Sequence, residues 1–248
     1  MNTIYILWLR ALKRYFRSKS RMVGSLGQPL LFIIALGFGL GPIFQRAGGG
    51  SYINFLAPGV IAQGVLFTAI FSGIELIWDR QFGFLKETLV APVSRLEIMI
   101  GRTLGGATIA FFQGVIIFGL TLLIGFRPQN WWGVPGAFGL IFLTAVLFTA
   151  LGTAIASNLE DFQGFQLIMN FLVMPLFFLS GALFPVNLAP DFLQVIVRIN
   201  PLAYGVDGLR DLLLGTTNFG LTMDLAVIGF LTAVVLALGT YFFSKIQI

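Results

Sequence analysis

Residues 103–125 read TLGGATIAFFQGVIIFGLTLLIG, a run of 23 without a charged side chain. At 1.5 Å per residue this run makes a helix about 34 Å long, enough to cross a hydrocarbon core roughly 30 Å thick. Lipid offers no partner to a free backbone N–H or C=O, so such a segment must be helical. Five more uncharged stretches of at least 20 residues lie between the charged positions. Spans are expected at 23–44, 57–78, 103–125, 134–156, 165–185 and 224–243. The fold class that follows is an all-α polytopic membrane protein with six transmembrane helices.

Composition agrees with the spans. Of 248 residues, 57% are apolar and only 10% charged, against about 25% charged in soluble domains. Mean hydropathy is +0.94. A soluble globular enzyme is excluded, because so few charges cannot clothe a water-facing surface. Cysteine and histidine are absent, which removes disulfides, thiolate nucleophiles, Cys/His zinc sites and Ser-His-Asp triads. No cleavable signal peptide is expected, since the N-terminus is charged and amphipathic without a short apolar core.

The net charge of +5 does not point to nucleic acid, because the basic residues sort by membrane side. Six spans put both termini on one side. Arg10, Lys13, Arg14, Arg17, Lys19, Arg21, Arg80, Lys86, Arg95, Arg102 and Lys245 fall there, 11 of the 15 basic residues. Arg46, Arg127, Arg198 and Arg210 fall on the other side. The positive-inside rule then places both termini in the cytoplasm. Trp131 and Trp132 sit where an outer aromatic belt belongs, and Trp78 at an inner one.

Between the spans lie three segments of mixed character. In residues 4–21, Ile4, Leu7, Trp8, Ala11, Leu12, Tyr15 and Phe16 recur at helical spacing with Arg10, Lys13, Arg14 and Arg17 mostly opposite. This predicts an amphipathic helix in the membrane interface, held by apolar burial and anionic lipid or acting as a topology anchor. Residues 79–102 carry Asp79, Arg80, Lys86, Glu87, Arg95, Glu97 and Arg102 among Phe82, Phe84, Leu85, Leu89 and Val90. That mixture fits a protein-docking surface or an interfacial helix touching lipid, with a helical turn over 84–90 ended by Pro92. In the outer segment 185–223, Phe192, Val195, Ile196 and Ile199 form one short stripe and Leu209, Leu212 and Leu213 another. Asn200-Pro201 reads as an N-cap with proline at N1, and Gly215 as a helix stop.

Catalytic chemistry is not visible. No G-x-x-x-x-G-K-[ST] phosphate loop is present, and the span cores lack ionisable groups of the kind that couple ions. Glu75 and Asp79 read as an interfacial acidic pair near Arg80. The polar side chains within spans, Gln63, Gln113, Asn170 and Ser180, form interhelical hydrogen bonds or line a translocation path. Clustered aromatics such as Phe111, Phe112, Phe177 and Phe178 offer an amphipathic substrate a contact surface.

Three motifs carry a family resemblance. They are Phe55-Leu56-Ala57-Pro58-Gly59 opening the second span; Arg80 to Arg102 with Glu87-Thr88-Leu89, Pro92 and Gly101-Arg102; and Leu179-Ser180-Gly181-Ala182-Leu183-Phe184-Pro185-Val186 followed by Asn200-Pro201-Leu202, Tyr204, Asp207, Arg210 and Leu214-Gly215. In order and spacing the chain resembles the type-2 ABC transporter permeases, most of all the drug-resistance and nodulation-factor export permeases. The resemblance implies one transmembrane domain over 1–248, with an interfacial connecting helix at 4–21, a cytoplasmic loop at 79–102 and outer re-entrant short helices at 187–214 between spans five and six. The coupling helix that docks the ATPase falls on Phe82, Phe84, Leu85, Lys86, Glu87, Thr88, Leu89 and Pro92. Pro185, Asn200, Pro201, Tyr204, Asp207 and Arg210 mark the re-entrant segment. Two separate ATP-binding subunits are implied as partners, with ATP and Mg bound there and no cofactor in this chain, together with a homodimer or a heterodimer with a second permease. The implied function is ATP-driven export of an amphipathic drug, lipid or lipid-linked molecule across a plasma (inner) membrane. An ion-coupled secondary transporter and a membrane scaffold are the alternative readings.

Overall fold

The computed structural model describes residues 2–46, 48, 50–84, 88, 90, 92–159 and 161–244. All regular structure among them is helical. In chain order the helices are α1 (Asn2–Arg17), α2 (Lys19–Arg46), α3 (Tyr52–Phe71), α4 (Ile74–Gln81), α5 (Arg95–Ile124), α6 (Val134–Ser157), α7 (Phe162–Ile168), α8 (Met174–Phe178), α9 (Asp191–Ile199), α10 (Pro201–Leu214) and α11 (Leu221–Ser244). Among the described residues, five units are long and apolar enough to cross a membrane: residues 22–46 of α2, α3 with α4, α5, α6 with the turn before it, and α11. A shorter apolar helix, Phe162–Phe178, joins α7 to α8 through one wide π turn at Met169–Val173.

The α3–α4 rod is the centre of the bundle. Its most apolar window is 72% buried, against 17% for α2 and for α11. Around it pack α2, α5 and α6; α11 lies on α6, α1 on α5, and α10 across α3, α6 and α11. Close approach depends on small residues, the usual means of joining helices in lipid. The rod is jogged at Ser72-Gly73 because the carbonyl of Gly152 in α6 occupies the place a side chain at 73 would take. The Ser72 hydroxyl donates to the Ala69 carbonyl at 2.6 Å and tightens that turn.

Several predicted boundaries move. The third span begins eight residues earlier than expected, at Arg95, where Ser94 and Glu97 form a reciprocal cap: the Glu97 N–H donates to the Ser94 hydroxyl and the Ser94 N–H to the Glu97 carboxylate. The fifth predicted span, 165–185, is helical only to Phe178. Beyond it the chain turns through Gly181, whose φ of +73° suits a residue without a Cβ. The π turn has its own cause. Phe165, Met169, Val173 and Phe177 are all buried at intervals of four, and a regular 3.6-residue helix would carry that row out of the core; the wide turn restores its register.

The amphipathic N-terminal helix forms as α1, but it is docked more deeply than an interfacial helix needs to be. Gly101 and Gly105 of α5 leave room for Ile4, Leu7 and Ala11. The Trp8 indole N–H donates to the Thr108 hydroxyl at 3.0 Å, and the buried Tyr15 hydroxyl donates to Gln113 Oε1 at 3.0 Å. Gly105→Leu is therefore expected to pry α1 from α5 at a cost of about 2 kcal/mol or more. A thermal melt in detergent, with limited proteolysis after α1, would read this as a lower Tm and earlier cleavage.

Candidate functional site

Where the rod ends, one carboxylate collects three guanidiniums. Asp79 of α4, 4% exposed, accepts from Arg10 of α1 at 2.7 Å, from Arg102 of α5 at 2.7 Å and from Arg14 of α1 at 3.4 Å. Arg14 also lies 3.7 Å from Glu75, one turn back on α4. Such charge-assisted bonds are short and strong, and a carboxylate this buried depends on them. Glu75 and Asp79 share Arg14, while the neighbouring Arg80 points away from them, donating to the carbonyls of Ser157, the last residue of α6, and of Leu159 just beyond it. There it meets backbone acceptors that have no helical partner, at the negative end of the α6 dipole.

This cluster sits at the root of the loop between α4 and α5. The loop leaves α4 two residues after Asp79, and α5 returns bearing Arg102, so a single carboxylate ties both feet. Arg10 extends the grip by stacking its guanidinium 3.5 Å from the centre of the Phe84 ring. Of the predicted docking residues, Phe82 is 84% exposed, Thr88 donates its hydroxyl to the Phe84 carbonyl, and Pro92 precedes the α5 cap. Leu85, Lys86, Glu87 and Leu89 lie outside the described residues.

Beside the cluster is a cavity of about 500 Å³ between α2, α3 and α4, walled by Phe67, Phe71, Trp78 and Phe162. Gln28 and Gln63 supply amides to it. Gln63 is fully buried, and among the described residues neither its nitrogen nor its oxygen meets a hydrogen-bond partner. Apolar walls with a few convergent polar groups are the usual make-up of a small-molecule pocket.

The four polar residues expected to line a path do not gather. Gln63 faces this cavity. Gln113 is buried against Tyr15. Ser180 donates to the Phe177 carbonyl at the far end of the bundle, and Asn170 is exposed on the outer face of the short helix. The aromatics divide as well. Phe111 lies with Phe112, Phe138 and Phe142, whereas Phe177 lies against Phe32 and Phe178.

At the opposite end, the predicted outer residues do come together. Asn200 caps α10 by accepting the Leu202 N–H, with Pro201 at the first helical position, and its amide also donates to the Leu176 carbonyl at 2.7 Å. Gly215 ends α10 in the left-handed conformation, as expected. Tyr204 donates to the Arg198 carbonyl at 2.6 Å, and Asp207 gathers the Thr217 hydroxyl and the Asn218 and Phe219 N–H groups. Arg210, 4% exposed, donates to the Phe55 carbonyl at 3.3 Å and the Ala182 carbonyl at 3.1 Å, and stacks 3.9 Å from the Phe55 ring. Pro185 precedes the turn at Val186–Leu188. Sequence reading missed Asp224, fully buried in the first turn of α11 beside Gly208. It also missed the roles of Arg10, Arg14 and Arg102, because nothing local links positions 69, 65 and 23 residues away to Asp79.

Comparison with known proteins adds identity. The ABC-2 type transporter family matches residues 2–214. Nodulation protein J of Rhizobium leguminosarum bv. trifolii is 31% identical over 213 residues, covering 85% of this chain and 78% of its own. Nodulation protein J of Rhizobium meliloti is 29% identical, covering 86% of this chain and 79% of its own. "Putative transport permease ycf38" of Pyropia yezoensis is 34% identical over 217 residues, covering 85% and 73%.

Removing the shared carboxylate leaves three cations facing one another, with the Arg102 side chain only 11% exposed. Asp79→Ala is expected to destabilise the chain by about 3–5 kcal/mol. Arg80→Ala breaks only bonds to carbonyls and is expected to cost about 1.5–3 kcal/mol. Thermal melts of both variants in the same detergent check the order; equal losses would show that Asp79 is not the hub.

Proposed function

This chain belongs to the ABC-2 type transporter family, and from that premise we propose that it is the transmembrane subunit of an ATP-binding cassette exporter. Two copies, or one copy and a related permease, pair in a plasma (inner) membrane with both termini in the cytoplasm. The short helix Phe162–Phe178, extended by the turn after it, serves as the fifth of six crossings, and residues 187–214 dip back into the outer interface. Two separate subunits bind ATP and Mg and hydrolyse the nucleotide. Their motion enters through the loop between α4 and α5. The chain itself makes and breaks no covalent bond; it converts the difference between two protein conformations into a change of access for the cargo.

The observation that carries this reading is the cluster around Asp79. A push on residues 82–94 meets both feet of the loop at one carboxylate, and through it reaches α1, the α3–α4 rod and α5 together. Arg80 passes the same load to α6. Cargo is an amphipathic drug, lipid or lipid-linked molecule. The aromatic walls of the cavity suit its apolar part, and the unpartnered amide of Gln63 suits a hydroxyl or amide on it.

The test is co-expression with the ATP-binding subunit encoded nearest to the gene, purification, and ATPase measurement in lipid vesicles. Phe82→Asp and Leu85→Asp place a charge on the docking patch. Each is expected to lower the ATPase of the assembled complex about tenfold, the effect of a single anchor residue at an interface, while membrane insertion is retained. Wild-type ATPase in both variants would exclude the loop as the docking element. Failure of the wild-type chain to bind any ATP-binding subunit would favour an ion-coupled transporter instead.

A further inference from the structure

The cavity between α2, α3 and α4 has a charge preference as well as a shape. Its volume is about 500 Å³, and aromatic rings stand in its walls. Phe67 and Phe71, one turn apart on α3, hold their rings 6.3 Å apart at 15° to one another. Trp78 of α4 and Phe162 of α7 add two more. An aromatic ring is negative over its face, so such a wall offers a cation an attraction that it denies an anion.

Glu75 of α4 lines the same cavity. Its Oε2 lies 3.7 Å from Arg14, well beyond the roughly 2.8 Å of a close charge-assisted bond. A carboxylate has room for more than one cation, as Asp79 shows one turn away with three guanidiniums. The Arg14 side chain is 32% exposed and that of Glu75 only 16%, and water screens the more exposed charge more strongly. The carboxylate therefore sets the sign of the potential inside the cavity. The lining also includes Gln63, fully buried and without a hydrogen-bond partner among the described residues. An unsatisfied amide is costly to bury, so this space is a place for a guest and not a flaw in packing.

We propose that the cavity takes a lipophilic organic cation, its charge beside Glu75 and its apolar body among the rings, and that Glu75 selects it over an anion of the same shape. The proposal rests on the reading of this cavity as the cargo site and adds the charge of the cargo.

Tetraphenylphosphonium and tetraphenylborate share one shape and carry opposite charges, so the pair isolates the effect of sign. Each is dialysed to equilibrium against the purified full chain in a neutral detergent, with protein-free micelles subtracted. The expected result is tighter binding of the phosphonium. Glu75→Gln keeps the size of the side chain and is expected to weaken the phosphonium about tenfold while leaving the borate unchanged. Ser25→Lys puts an ammonium on the α2 wall, leaves Glu75 in place and is expected to reverse the preference, which keeps the test open should Glu75→Gln lose its fold. Equal or tighter binding of the borate by the wild-type chain would overturn the selection, as would a phosphonium affinity unmoved by both substitutions. No binding of either ion would overturn the cavity as a cargo site. These outcomes leave the exporter reading itself to the ATPase of the assembled complex, which is measured separately.

Discussion

The three-fold coordination of Asp79 is the constraint on which the rest of the structure depends. A carboxylate 4% exposed pays a large desolvation cost that only close, well-aligned cations offset. Here the cations come from two other helices, so satisfying one side chain fixes the mutual position of α1, α4 and α5. The docking of α1 follows. Its basic face is drawn to Asp79 while Tyr15 and Trp8 reach the polar groups of α5, and two glycines let the backbones approach.

The second constraint is the absence of a hydrophobic driving force between helices in lipid. Burial separates core from surface in water, but in a membrane the tails are as apolar as leucine. Packing therefore rests on shape and on backbone hydrogen bonds made at the ends. Gly73 and Gly152 bring α4 and α6 into backbone contact. Arg80 and Arg210, at opposite ends of the bundle, each donate to backbone carbonyls. Both ends of the α3–α4 rod are thus pinned by polar contacts: Asp79 and Arg80 at one, the Phe55 carbonyl and ring under Arg210 at the other. A displacement at the loop root acts on a rod whose far end holds α10 through Arg210.

Composition and spacing alone were enough for the class of protein, the helices at 134–156 and 224–243 to within three residues, the cap at Asn200-Pro201 and the stop at Gly215. These are readable because they are local: a bilayer demands about 20 apolar residues in a row, and a cap involves side chains within a turn of the backbone they bond. Which arginines would serve Asp79 was not local. Arg10 and Arg14 lie 69 and 65 residues away along the chain, whereas Arg80 is the adjacent residue. Folding directs the Arg80 guanidinium to the carbonyls of Ser157 and Leu159 instead. The scatter of Gln63, Gln113, Asn170 and Ser180 has the same origin. An amide in an apolar run shows its residue type but not its facing, and facing is set by which neighbour packs there and by one π turn whose extra residue rotates the face beyond it.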